Sequence, residues 1–262
     1  MKIGSNAGHT LPGTTGCGAV GLINESVCTR EIAKYFNEIL RANNHSVIDC
    51  TIDKSTNYLK EAVAIANRQN LDYSISHHLN CSDDISANGV EVWIYDFNDK
   101  ATVAAANRIC DELSKLGLRN RGVKENKKFA WVKNTKSKAM IIEYLFCSNA
   151  KDVGLYNPQR LAEASCKGLI GQVKVNHGSV GPSENNDSRY SYKNGEYNRQ
   201  ARVVNVGSKG LNIRQARNTS SQVIGKLVQG SVIKVDYCID NWFSVWENGK
   251  LGFVYGEYVQ LI

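Results

Sequence analysis

The chain has 262 residues, 42% hydrophobic and 22% charged, with a formal net charge of +7. This length allows one or two domains, and the composition is ordinary for a globular protein. The positive charge points to an anionic partner without choosing among nucleic acid, a membrane surface and a wall polymer, and no apolar run is long enough to cross a bilayer.

The first residues, MKIGSNAGHT, lack the apolar core of a secretory signal. The expectation is synthesis in the cytoplasm, with another way out for any role outside. Of the eight cysteines no two lie within four residues, which excludes a knuckle-type zinc site. They read as reduced, structural thiols.

In chain order, Lys2 to Ser5 is a short strand, followed by a Gly- and Thr-rich loop. Glu25 to Asn43 is an amphipathic helix with Ile32, Tyr35, Phe36, Ile39 and Leu40 on one face and Asn24 as its N-cap. Ser46 to Thr51 is a strand and Tyr58 to Gln69 a helix. Asp72 to Ser76 is a third strand, ending in SHHLNCSDD, and Val90 to Tyr95 a fourth. A helix over Ala101 to Leu116 is capped by Asp99 and stopped at Gly117. Phe129 to Val132 is expected as a short strand and Ala139 to Leu145 as the last one. Asn157 and Pro158 open a final helix to about Val173. Strands alternating with helices define an α/β domain over residues 1–174, with a largely parallel twisted sheet flanked by helices.

Residues 175–200 are rich in Gly, Ser and Asn and read as a linker. Residues 201–262 hold short alternating runs (LNIR, VIGKL, VIKVDY, WFSVW, LGFVY, YVQLI) and read as a small all-β unit, sandwich or barrel.

The chemistry gathers at strand ends. Glu143 sits in the apolar run AMIIEYLFCSN, where an unpaired carboxylate is costly. His9 follows the first strand and His78 the third. Sites in open α/β sheets form at the carboxyl ends of the strands. Glu25 opens a helix, whose dipole favours an ionised carboxylate. A carboxylate and two imidazoles are a common set for catalytic zinc, which then wants a second, non-ligating Glu as base. Each residue also has an ordinary structural role open to it: loop polar residue, first-turn acid, strand-end imidazole or solvated acid. The stretch Arg119 to Lys138 holds eight Lys or Arg against Glu125 alone. It reads either as a solvated face or as an attraction to anionic polymers.

AGH, a Glu opening a helix, SHHLN and IIEYLFCSN, in that order, resemble the zinc-dependent N-acetylmuramoyl-L-alanine amidases of peptidoglycan, over about residues 2–174. The resemblance implies one zinc ion on His9, Glu25 and His78, with Glu143 as catalytic acid-base and Asn80 as a polar, substrate-binding position. The family more often has an apolar residue where His77 stands. Asn80, two residues on, sets the register on His78, which leaves His77 facing the neighbouring layer or lying near the site. The C-terminal stretches GLNIRQARNTSSQVIGKLVQG and NWFSVWENGKLGFVYGEYV resemble a bacterial Src-homology-3 domain. That likeness implies a small barrel and wall binding, with Arg214, Trp242, Tyr255 and Tyr258 as candidate contacts. The implied partners are peptidoglycan and its anionic wall polymers, with no nucleic acid and no membrane insertion. The implied role is hydrolysis of the muramoyl–L-alanine amide by a phage-type endolysin released to the wall, or by a host autolysin. Competing readings are a non-catalytic wall binder and a zinc peptidase cutting within the stem peptide.

Overall fold

The computed structural model describes residues 1–173, 190–193, 195–247 and 250–262. The chain divides into two compact units, Met1–Asn176 and His177–Ile262.

The first unit runs β1 (Lys2–Ala7), α1 (Glu25–Ala42), β2 (Ser46–Asp49), α2 (Tyr58–Asn67), β3 (Tyr73–Asn80), β4 (Val90–Ile94), α3 (Lys100–Ser114), β5 (Asn120–Glu125), α4 (Ala130–Asn134), β6 (Lys138–Phe146), α5 (Ala150–Gly154) and α6 (Pro158–Ile170). The sheet order is β2-β1-β3-β6-β4-β5. Every pairing is parallel except β4 with β6, so the sheet is largely parallel, as its sequence pattern indicates. The middle strands β3 and β6 are buried along most of their length, which is why they read as apolar runs. Helices α1, α3 and α6 pack together over one face. On the other face α2 and α4 cover only part of the sheet, through Ala62, Val63, Ala66, Trp131 and Val132 against Ala139 and Ile141.

Local signals hold at the helix starts. Asn24, Asp99 and Asn157 each accept a hydrogen bond from the backbone N–H three residues on, and Pro158 takes the first turn of α6. Gly117 turns the chain at φ 100°, just past α3.

Four expectations are corrected. Phe129 to Val132 is not a strand: Ala130–Asn134 is a helical turn, because one turn lets adjacent Trp131 and Val132 both bury against α2. β5 was not foreseen, because an edge strand of sequence NRGVKE needs no apolar face. β3 extends to Asn80, so His77 and His78 lie within a strand rather than after it. The expected linker is also too long. Its part at 175–189 lies outside the described residues, but β7 (Gly195–Val203) starts inside the remainder. Just ahead of it, Tyr192 packs on the second unit's core and donates its hydroxyl to the Val259 carbonyl at 2.6 Å.

The second unit continues with β8 (Leu211–Arg214), β9 (Val223–Leu227), β10 (Val232–Ile239), β11 (Trp242–Glu247), β12 (Lys250–Tyr255) and β13 (Val259–Leu261). Its sheet is antiparallel throughout, in the order β13-β7-β10-β11-β12-β8-β9. Asp240 and Asn241, at φ 50° and 61°, form the two-residue turn that suits the right-handed twist of the β10–β11 hairpin. Val235, Phe243, Val245 and Val254 are at its core.

Candidate metal centre and the acid beside it

The centre forms where the loop after β1, the first turn of α1 and the end of β3 meet. Gly8 donates its N–H to the His77 carbonyl at 2.8 Å, and a Cβ at Gly8 would overlap the His78 ring. Only glycine lets the loop pass so close. His9 follows at φ 67°, a left-handed conformation that aims its ring at α1. Its Nδ1 donates to the Gly16 carbonyl at 3.1 Å, so Nε2, 3.3 Å from Glu25 Oε1, is the nitrogen that carries the lone pair when the ring is neutral.

Glu25 is the first residue of α1 and is buried. Its Oε2 accepts the Ala19 N–H at 2.9 Å, and its Oε1 accepts the Leu79 N–H at 3.1 Å. His78 Nδ1 lies 3.1 Å from the same Oε1. Ser76 Oγ, 3.0 Å from His78 Nε2, can accept a hydrogen bond from Nε2–H, the tautomer that leaves the lone pair on Nδ1. A Cβ at Gly18 would fall 2.6 Å from Glu25 Oε2, so this residue too must be small. Burial opposes the charge of Glu25, but hydrogen bonds and charge from His78 and His9 hold its carboxyl far below the usual carboxylate range. Burial likewise disfavours protonated His9, yet Glu25 raises its pKa.

One donor atom from each of His9, Glu25 and His78 lies within 4.8 Å of the other two. One carboxylate oxygen faces two imidazole nitrogens, in the donor chemistry that suits a divalent zinc-type ion.

Strand alternation separates the two adjacent histidines. His77 points to the helical face, fully buried, its ring 4.8 Å from that of Phe36. Its Nδ1 is 2.8 Å from the Tyr144 hydroxyl and its Nε2 is 3.2 Å from Ser5 Oγ. Burial, aided by the charge of His78, pushes its pKa down to about 3.

Glu143 is paired with His78 on one side and with Glu91 of β4 on the other. Residues directly opposite in a ladder share a face, so all three look out over the sheet face that α2 and α4 leave partly open. Glu143 Oε2 is buried, and among the described residues it has no hydrogen-bond partner. Burial pushes the Glu143 carboxyl well above the ordinary value, and the charges of Glu25 and Glu91 add to the shift.

Glu91 has partners where Glu143 has none. Asn80 donates to its Oε1 at 2.9 Å, while Arg121 and Lys124 both donate to Oε2 at 2.6 Å. Asn80 thus anchors Glu91 from the end of β3. Glu91 and Arg121 escaped sequence reasoning, although GVEVW places a lone acid in an alternating strand, which is the same signal that marked Glu143. The basic stretch is likewise not a uniform solvated face. Arg121 and Lys124 serve Glu91, and Lys127 pairs with Asp96 and Glu125.

In the second unit, the rings of Trp242 and Tyr255 are 5.1 Å apart and those of Tyr255 and Tyr258 are 6.4 Å apart, so three of the four expected contacts form one aromatic cluster. Trp242 is mostly core, 8% exposed. Arg214 donates to the Ser221 carbonyl at 2.7 Å. Trp246, which the sequence did not single out, is 40% exposed and lines a groove of about 530 Å³ with Lys234 and Asp236.

A largely parallel α/β sheet carrying a His–Glu–His cluster beside a half-buried acid has the donor set that a metal-dependent hydrolase needs. Comparison with known proteins makes this particular. A family model described as N-acetylmuramoyl-L-alanine amidase matches residues 5–171, and one described as bacterial SH3 domain matches residues 209–260. The chain belongs to the N-acetylmuramoyl-L-alanine amidase family. An uncharacterized Clostridium perfringens protein is 36% identical over 162 residues, which is 60% of this chain and 47% of that protein. A 38.4 kDa protein of the same species is 33% identical over 205 residues, 71% of this chain and 58% of that protein. The chain therefore spans about half the length of the curated relatives it matches. Among solved structures, the catalytic domain of the CD27L endolysin targeting Clostridia difficile is 26% identical with a TM-score of 0.60, over 65% of this chain and 97% of that one. The catalytic domain of CwlV, an N-acetylmuramoyl-L-alanine amidase from Bacillus (Paenibacillus) polymyxa var. colistinus, is 25% identical with a TM-score of 0.57, over 64% and 95%. Among the described residues no helix is long and apolar enough to cross a membrane.

Proposed function

We propose that the chain is a zinc-dependent amidase of the endolysin type. It hydrolyses the amide between the lactyl group of N-acetylmuramic acid and the L-alanine of the stem peptide. The observation that carries the reading is the convergence of His9, Glu25 and His78, with Glu143 beside His78 on the next strand. Zinc held by those three side chains supplies a Lewis acid that polarises the scissile carbonyl and lowers the pKa of water.

The rest falls to the chain's own residues. Glu25, fixed by two backbone N–H groups, keeps its charge. Gly16 and Ser76 set the two imidazoles so that one nitrogen of each faces the centre. Glu143, unpartnered at Oε2, takes the proton of the attacking water and returns it to the departing amine. Burial raises its pKa and so favours the protonated form that the shuttle must pass through. The products are a free lactyl carboxylate and a stem peptide with a new amino terminus.

In this reading the second unit binds the wall. The Trp242–Tyr255–Tyr258 cluster supports an aromatic contact with a wall polymer. The partners are peptidoglycan and its anionic polymers, and the enzyme reaches the wall after synthesis in the host cytoplasm. End-group analysis of digested peptidoglycan tests the function. New L-alanine amino termini, abolished by a chelator and restored by zinc, are expected. New amino termini on other stem residues would identify a peptidase, and wall binding without any release would identify a non-catalytic binder.

A further inference from the structure

Arg121 and Lys124 lie three residues apart on β5, so in a regular strand they would point to opposite faces. They do not, because β5 bulges. Asn120 pairs with Val90 and Val123 with Val92, so Arg121 and Gly122 together oppose the single residue Glu91. Gly122, at φ 79°, is the residue that permits it. Both cations consequently reach Glu91 Oε2 at 2.6 Å, on the same face as Glu143 and His78.

One cation would neutralise Glu91, whose other oxygen is already held by Asn80. The second leaves the cluster at net +1, two cations against one carboxylate. Glu91 is sealed at 3% exposure, but Arg121 and Lys124 keep 25% and 32%. Their direction is fixed, with Arg121 4.9 Å from the centre of the Phe146 ring and Lys124 5.1 Å from that of Trp93. Arg121 spends Nε on Glu91 and Nη1 on the Asn88 carbonyl, and among the described residues its Nη2 and two of the Lys124 ammonium protons remain to be offered. A pair of oriented, partly exposed donors with surplus positive charge, two strands from Glu143, matches a carboxylate.

We propose that Arg121 and Lys124 form a subsite for a carboxylate of the stem peptide, on the leaving-amine side of the scissile bond. This rests on the amidase reading of the neighbouring centre. From β6 to β5 is two strand spacings, roughly 10 Å, and an extended residue spans about 3.5 Å. The carboxylate therefore belongs to one of the first three residues of the peptide. The subsite makes the enzyme selective for stems in which that group is free rather than amidated.

The test uses the full-length, zinc-loaded Glu143→Gln variant, so that binding is read without turnover. Calorimetry compares two soluble muropeptides that differ only in this group, carboxylate or carboxamide. The expected result is about tenfold tighter binding of the carboxylate form. Adding Lys124→Met should erase the preference while leaving carboxamide affinity within about twofold, and adding Lys124→Arg instead should keep it. A preference that survives Lys124→Met, or equal losses for both ligands, overturns the subsite and leaves the cluster as a support for Glu91. The amidase reading is checked separately: parent enzyme that binds both muropeptides yet releases no new L-alanine amino terminus contradicts that reading and leaves the binding preference to stand or fall alone.

Discussion

Three acids, Glu25 and Glu91 buried and Glu143 half-buried, lie along one region of the sheet, and they are treated differently. Glu25, at one end, is enclosed by two imidazoles and two backbone N–H groups. Glu91, at the other, is enclosed by Arg121, Lys124 and Asn80. Glu143, between them, has a buried oxygen that nothing in the described residues satisfies. Two are held in charged form by partners, whereas the third is exposed to both their charges. A fold that solves the same problem twice and leaves it open once supports the proposal that the open case is the reactive one. The neighbouring pair His77 and His78 shows the same division, one sealed by Tyr144 and Ser5 and the other turned to the centre.

His78→Ala should purify without zinc and be inactive, because losing a ligand costs far more than the 10–100-fold typical of a supporting partner. His77→Ala should keep about one zinc per chain and at least part of its activity. Its cost is in stability, on the order of 2–4 kcal/mol in urea unfolding, from a cavity and the lost hydrogen bonds to Tyr144 and Ser5. The reverse pattern in metal analysis would move the centre to His77.

A smaller effect sharpens the comparison through pH. The pKa of His77 is about 3 in the folded chain, against about 6.5 for an exposed imidazole. Between these values the unfolded chain binds a proton that the folded chain does not, so stability rises with pH there. What His77 contributes is full above about pH 6.5 and is lost as pH falls toward 3. Chelated parent protein should lose about 1.4 kcal/mol more per pH unit over this window than chelated His77→Leu. Equal slopes in urea titrations would mean that His77 is not sealed.

Much of the fold was legible in the sequence because buried strands and amphipathic helices carry their period openly. Ile142 and Tyr144 of β6, or Ile32 and Phe36 of α1, leave little choice. What escaped was set by partners distant in sequence. β5 is a strand because β4 lies beside it, not because NRGVKE favours one. Trp131 and Val132 suggest a strand until α2 supplies the surface that a helical turn fits. The cluster His9, Glu25, His78 and Glu143 could be named because residue type, order and family likeness coincide. Glu91 could not, since its role depends on a bulge at Gly122 that brings two cations to one oxygen. Tyr192 reads as linker because nothing local shows that its hydroxyl closes on Val259.

On the proposed mechanism Glu143 is left unpartnered to move protons and is not a metal ligand. The most direct test pairs zinc content with single-turnover rate in Glu143→Gln. The variant should hold about one zinc per chain, keep its circular dichroism, and lose on the order of 10²–10⁴ in rate. Normal turnover, or loss of zinc together with activity, would contradict the account.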